Sequence, residues 1–275
     1  MTGVQTCALP IFPDGLKPLV DYAHAKGLLF GVWLIRGVPR KAYEQNLKVF
    51  GTDYSFQQVL NPMDTSSFSP LNYGFKADSK ARQIYYNSVF ELLAKWGIDF
   101  VKYDDIVNYP DDIKAIVEAR KNCRRHMILS LSPGDRPDPN LVSVYRQTDI
   151  VRITSDVWDR REDLEKSFVR WEAFQKYSAQ GLALDLDMIP FGAFPKLSRT
   201  DQFSLAQKQS FMTQRALAAS PLIMGGSLTE SADSIFPLLT DPEMLECHRN
   251  GVCGNLVKRN GAIDFWKAES RTNAN

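Results

Sequence analysis

With 275 residues, 44% of them hydrophobic, the chain is long enough to bury a full core, and disorder along its length is excluded. Thirty-three Lys and Arg balance 32 Asp and Glu to a net charge of +1, so no global field draws in nucleic acid or an anionic membrane surface. No apolar run approaches the roughly 20 residues of a membrane span, and the expected partner is a small, nearly neutral molecule.

The chain opens MTGVQTCALPIF, a stretch with no Lys or Arg and therefore no signal-peptide n-region. Its TGVQTCALPI matches the translation of ACT GGA GTT CAG ACG TGT GCT CTT CCG ATC, a common sequencing adapter, and residues 1–11 are read as adapter-derived. The sequence upstream of Phe12, with any signal region, is accordingly expected to be missing. Cys7 belongs to that stretch. The other cysteines, Cys123, Cys247 and Cys253, fit no zinc spacing and leave one thiol over in any disulfide scheme.

From PDGLKPLVDYAHAKG onward, helical patterns alternate with short apolar runs. The strand candidates are Leu28–Ile35, Asp99–Ile106, Met127–Pro133, Asp149–Val157, Leu182–Ile189 and Pro221–Leu228. Between them, residues 79–97, 111–126, 161–181 and 200–220 carry apolar side chains at three-to-four spacing, as amphipathic helices do. Repeated βα units build either an open doubly wound sheet or a closed (β/α)8 barrel. No phosphate-binding glycine motif follows any strand, which favours the TIM barrel.

Polar residues gather at the C-terminal ends of these strands, where barrel active sites are built. In VKYDD, Lys102 and Asp104 share a face and Tyr103 points to the other. VRITSD supplies Arg152 and Asp156 in the same manner, and LDLDM supplies Asp185 and Asp187. Helix capping would explain one Asp per loop but not the cations on the same strands. Asp104, Asp156 and Asp187 could also converge on Mg²⁺ or Mn²⁺. Lys102 and Arg152 argue against that, and neither metal nor cofactor is expected. His24, His126 and His248 read as surface or capping residues, and Asp105 as a loop or capping residue.

KGLLFGVW, WGIDFVKYDD, RITSDVWD, DLDMIPFG and ASPLIMGGSLTE, in that order, resemble glycoside hydrolase family 27, the retaining α-galactosidases and α-N-acetylgalactosaminidases. IRGVPRKAYEQN resembles the bacterial branch. The resemblance implies a hydrolase of α-linked galactose-type sugars acting by double displacement on an oligosaccharide or glycoconjugate, with a secreted or periplasmic location. It matches Asp104 to the nucleophile and Asp156 to the acid/base. Lys102, Arg152, Asp187 and Trp33 match substrate-binding positions, with Lys102 holding the nucleophile's charge and Asp185 supporting Asp187. To act as an acid, Asp156 calls for surroundings that keep it protonated, by desolvation or by the nearby carboxylate. In SLSPGDRPD, Ser132 stands where galactosidases present bulkier groups to the sugar's 2-position, so the 2-substituent stays open. The family pattern further implies an incomplete (β/α)8 TIM barrel over residues 12–250 without its first two strands, then the start of a C-terminal antiparallel β-domain at 251–275. The alternative is an inactive fragment or a non-catalytic sugar-binding relative, and the oligomeric state is not legible.

Overall fold

The computed structural model describes residues 15–66, 68–133, 136–178 and 181–271. The adapter-like segment lies outside them. The chain forms two compact units, Met1–Asp149 and Ile150–Asn275.

In the first unit, a helix at Lys17–Ala25 with proline in its first turn leads into β1 (Gly31–Ile35). The chain then leaves the parallel sheet for β2 (Val38–Pro39), β3 (Leu60–Thr65) and β4 (Asn72–Phe75), a small antiparallel sheet ordered β2-β4-β3. A helix at Lys80–Trp96 follows, burying Tyr85, Tyr86, Val89, Phe90, Leu93 and Trp96 along one face. Gly97, at φ 80°, ends it: a left-handed backbone is open to glycine without a Cβ clash, and the chain turns into β5 (Phe100–Asp104). The helix Pro110–Asn122 carries Asp111 and Asp112 in its first turn and Arg120 and Lys121 in its last, matching its dipole at both ends. It leads to β6 (Ile128–Leu131). β1 pairs parallel with β5, and β5 with β6.

In the second unit, β7 (Ile150–Arg152) pairs parallel with β8 (Ala183–Asp185), with the helix Arg161–Phe174 between them. A short hairpin of β9 (Ala193–Phe194) and β10 (Arg199–Thr200) precedes the helix Leu205–Ala218. Ser204 and Gln207 close that helix's N-terminus as a capping box. An antiparallel pair, β11 (Asn255–Asn260) and β12 (Ile263–Lys267), turns at Gly261 and seats Trp266 on Trp171 with ring centroids 3.9 Å apart.

Five of the six expected strands form, each shorter than its apolar run. Pro221–Leu228 is the exception. It makes only isolated bridges, Ile189 to Met224 and Ala193 to Ser227. A Cβ on Gly225 or Gly226 would collide with Met188 or with the Phe191 carbonyl, so this segment packs by close backbone approach and not as a regular ladder. Among the described residues, no helix is long and apolar enough to cross a membrane.

Candidate active site

The register of the first unit sets Trp33 beside Lys102, and Lys102 beside Ser130, in one row across β1, β5 and β6. Val101 and Tyr103 point the other way into the core, where Tyr103 meets the rings of Tyr86 and Phe90. Lys102 and Asp104 therefore share a face, as expected.

Asp104 is held at both oxygens. Trp33 Nε1 donates to Oδ2 at 3.0 Å, and the Asp105 backbone N–H donates to Oδ1 at 3.0 Å. Trp33 is 53% exposed and offers its ring to solvent beside the carboxylate. Lys102 is half-buried and has no partner among the described residues. Ser132 is fully buried, and its Oγ has no hydrogen-bond partner among the described residues.

Asp105 ends β5 with a left-handed backbone, φ 55°, and is 4% exposed. It is a loop residue, as expected, but one anchored from behind. Arg36 Nε donates to its carbonyl at 3.2 Å, and Arg36 Nη2 lies 3.7 Å from its carboxylate. Arg36 also forks onto Asp64 at 3.1 and 2.8 Å and stacks 3.4 Å over Tyr109. Nothing local in the sequence marks Arg36, because its main partners lie 28 and 69 residues away.

In the second unit, Arg152 at the end of β7 joins two carboxylates. Its Nη1 donates to Asp187 Oδ1 at 3.1 Å and its Nη2 to Asp156 Oδ1 at 2.9 Å. The other oxygen of Asp187 accepts the Val157 N–H at 2.7 Å, which ties down the loop carrying Asp156. Asp187 has φ 72°, and its own N–H donates to Asp185 Oδ1 at 2.7 Å, the support expected of Asp185. Beneath this turn, the fully buried Arg215 donates to the Leu186 carbonyl at 2.6 Å and stacks 3.3 Å over Phe211. Burial pushes its guanidinium down to about 9, against the opposing pull of Asp185 and Asp187. Sequence reasoning missed Arg215; an arginine inside the apolar run of its helix is the signal that could have found it.

One expectation is corrected. The side chain of Asp156 is 71% exposed and ion-paired with Arg152, so desolvation, one of the two means expected to keep it protonated, is not present. His24, read as a surface or capping residue, pairs with Asp99 at 2.7 Å, and Arg125 reaches the other oxygen of Asp99 at 2.7 Å. Among the described residues, no group of three or more His, Cys, Asp or Glu side chains could hold a metal ion.

The chain is 32% identical to a β-L-arabinopyranosidase of glycoside hydrolase family 27 from Geobacillus stearothermophilus, with a TM-score of 0.86 over 93% of this chain and 62% of that one. The chain belongs to glycoside hydrolase family 27. A candidate α-N-acetylgalactosaminidase from Bacillus halodurans is also 32% identical, with a TM-score of 0.81 over 96% of this chain and 65% of that one. Alpha-galactosidase 2 of Arabidopsis thaliana is 25% identical over 93% of this chain and 55% of its own length. No family model matches the chain. The chain spans about half the length of the curated α-galactosidases it matches. Its fold is of the (β/α)8 barrel type, with antiparallel strands that fit the family's C-terminal β-domain.

Proposed function

We propose that the protein is a retaining glycosidase that releases terminal α-linked galactose-type sugars. Asp104 attacks the anomeric carbon as its bond to the leaving oxygen breaks, and that oxygen takes a proton from Asp156. Water then attacks the same carbon, gives its proton to Asp156 and displaces Asp104. Two inversions return the α-anomer. Lys102, Arg152, Asp187 and Trp33 bind the sugar. The Lys102 ammonium, without a partner among the described residues, suits a hydroxyl, and Trp33 offers an exposed ring for the apolar face of a pyranose.

The observation that carries this reading is the fixation of Asp104. A carboxylate at a strand's C-terminal end is oriented by two N–H donors, with a lysine that is unpaired among the described residues two positions before it on the same face. A nucleophile needs a defined approach, and a merely capping aspartate needs neither the indole nor the lysine. On this reading the Arg152–Asp156 pair opens when the sugar's hydroxyls engage Arg152, leaving Asp156 to protonate the leaving group.

The relatives support a galactose-type ring. β-L-Arabinopyranose is α-D-galactopyranose without its C6 hydroxymethyl group, and one site can accept both. Turnover of 4-nitrophenyl α-galactoside, α-N-acetylgalactosaminide and β-L-arabinopyranoside by the complete protein decides among them. The α-galactoside is expected to have the highest kcat/KM, and a preference for the arabinopyranoside would reassign the substrate within the same mechanism. Proton NMR of the first product should show the α-anomer of galactose, and initial β-galactose would overturn the double displacement.

A further inference from the structure

We propose that Arg36 is a positioning residue for the nucleophile, acting through the left-handed turn at Asp105. The inference rests on the assignment of Asp104 above and deepens it.

Asp104 has one side-chain donor, Trp33, and one backbone donor, the Asp105 N–H. In an extended strand, that N–H would point along the sheet toward a neighbouring strand's carbonyl. Here it reaches Asp104 Oδ1 instead, and directly after that peptide unit the chain turns away at Asp105 with φ 55°, a conformation that costs any residue with a Cβ. Something must hold it there.

Arg36 is that restraint. Its backbone N–H donates to the Asp104 carbonyl at 3.0 Å, and its Nε donates to the Asp105 carbonyl at 3.2 Å, so one residue grips both peptide units that flank the turn. Arg36 is in turn immobile. Its guanidinium is forked onto Asp64, stacked on Tyr109 and 2% exposed, and its own carbonyl accepts Asn72 Nδ2 at 3.0 Å. Planar, bidentate and stacked contacts at once are within reach of arginine and not of lysine. The carboxylates facing it are Asp64, Asp105 and Asp112, the last at 3.9 Å. Asp112 is shared with Arg82 and with the Tyr86 hydroxyl. The excursion that carries Asp64 and Asn72, β3 and β4, thereby acquires a role: it buttresses the nucleophile's turn through Arg36.

The test is kinetic, in the complete protein, with 4-nitrophenyl α-galactoside turnover and inhibition by free galactose measured for Asp105→Gly, Asp105→Val and Arg36→Lys. Glycine adopts φ 55° freely, so Asp105→Gly should keep kcat within about threefold of wild type. Valine resists that conformation, and lysine cannot hold Asp64 and the Asp105 carbonyl together. Both variants should lose kcat by about tenfold or more, while the galactose inhibition constant stays within about twofold, because orientation and not sugar binding is damaged. If Arg36→Lys fails to fold, the contrast between the two Asp105 variants carries the test alone. Equal kcat in Asp105→Gly and Asp105→Val overturns the proposal, as does an Arg36→Lys variant whose kcat is unchanged. Asp104→Asn is the separate control. If it turns over substrate like wild type, the nucleophile assignment falls, and the positioning role falls with it.

Discussion

The indole N–H of Trp33 on β1 donates to Oδ2 of Asp104 on β5 across 3.0 Å, although the register partner of Asp104 is Ile35, two residues further along β1. The indole therefore reaches forward along the sheet, toward the end where the carboxylate stands. Phenylalanine at this position would keep an aromatic surface and lose only the donor. A hydrogen bond to a carboxylate is worth about 1.5 to 3 kcal/mol, and the exposure of Trp33 puts this one at the lower end. Trp33→Phe should cost about tenfold in kcat/KM on an aryl α-galactoside. An unchanged value would remove Trp33 from the orientation of Asp104 and leave it as a sugar platform.

Asp187 and Asp156 share Arg152 but differ in burial, and their variants should separate stability from activity. The Arg152 and Asp187 side chains are 7% and 8% exposed, so Asp187→Ala removes the buried carboxylate from the guanidinium and frees the Val157 N–H. It should lower unfolding free energy by about 3 kcal/mol, read from urea unfolding, and abolish turnover. Asp156→Asn changes a side chain 71% exposed. Its stability should stay within about 0.5 kcal/mol of wild type, while activity falls mainly on substrates with poor leaving groups, since an activated aryl group needs little protonation.

Asp99 gives a pH test of the scaffold under β5. Burial raises its carboxyl, but the Phe30 N–H, His24 and Arg125 outweigh that and hold it below its usual value of 3.8. A carboxyl with a depressed folded-state value stabilises the fold above its unfolded value and loses that contribution as pH falls through the folded one. Asp99→Asn should therefore be destabilised by about 2 kcal/mol near neutral pH. Its gap to wild type should close as pH drops below about 4. A gap that persists undiminished at about pH 2 would show that the Asn side chain, not the lost charge, is responsible.

Much of the site could be read from short-range pattern. Period-two alternation in FVKYD puts Lys102 and Asp104 on one face, and the βα repeat carries Arg152 and Asp187 to strand ends. Pattern does not reveal where a strand stops. Asp105 and Asp187 break their strands with positive φ and no glycine to announce it. The antiparallel excursion between β1 and β5 also escapes, because a two-residue strand such as Val38–Pro39 has no period to detect. Arg36 with Asp64, and Arg152 with Asp156 and Asp187, are products of tertiary packing. The exposure of Asp156 likewise depends on what surrounds it and not on what flanks it in the chain.

Chemical rescue bears on Asp104 as the nucleophile without any other group intervening. In Asp104→Gly the carboxylate is replaced by a space that azide can enter, and azide needs no general base to attack the anomeric carbon of 2,4-dinitrophenyl α-galactoside. The variant should be nearly inactive alone, added azide should restore turnover in proportion to its concentration, and the product should be β-galactosyl azide, inverted at the anomeric centre. An α-galactosyl azide product, or hydrolysis by the variant at the wild-type rate without azide, would contradict the assignment.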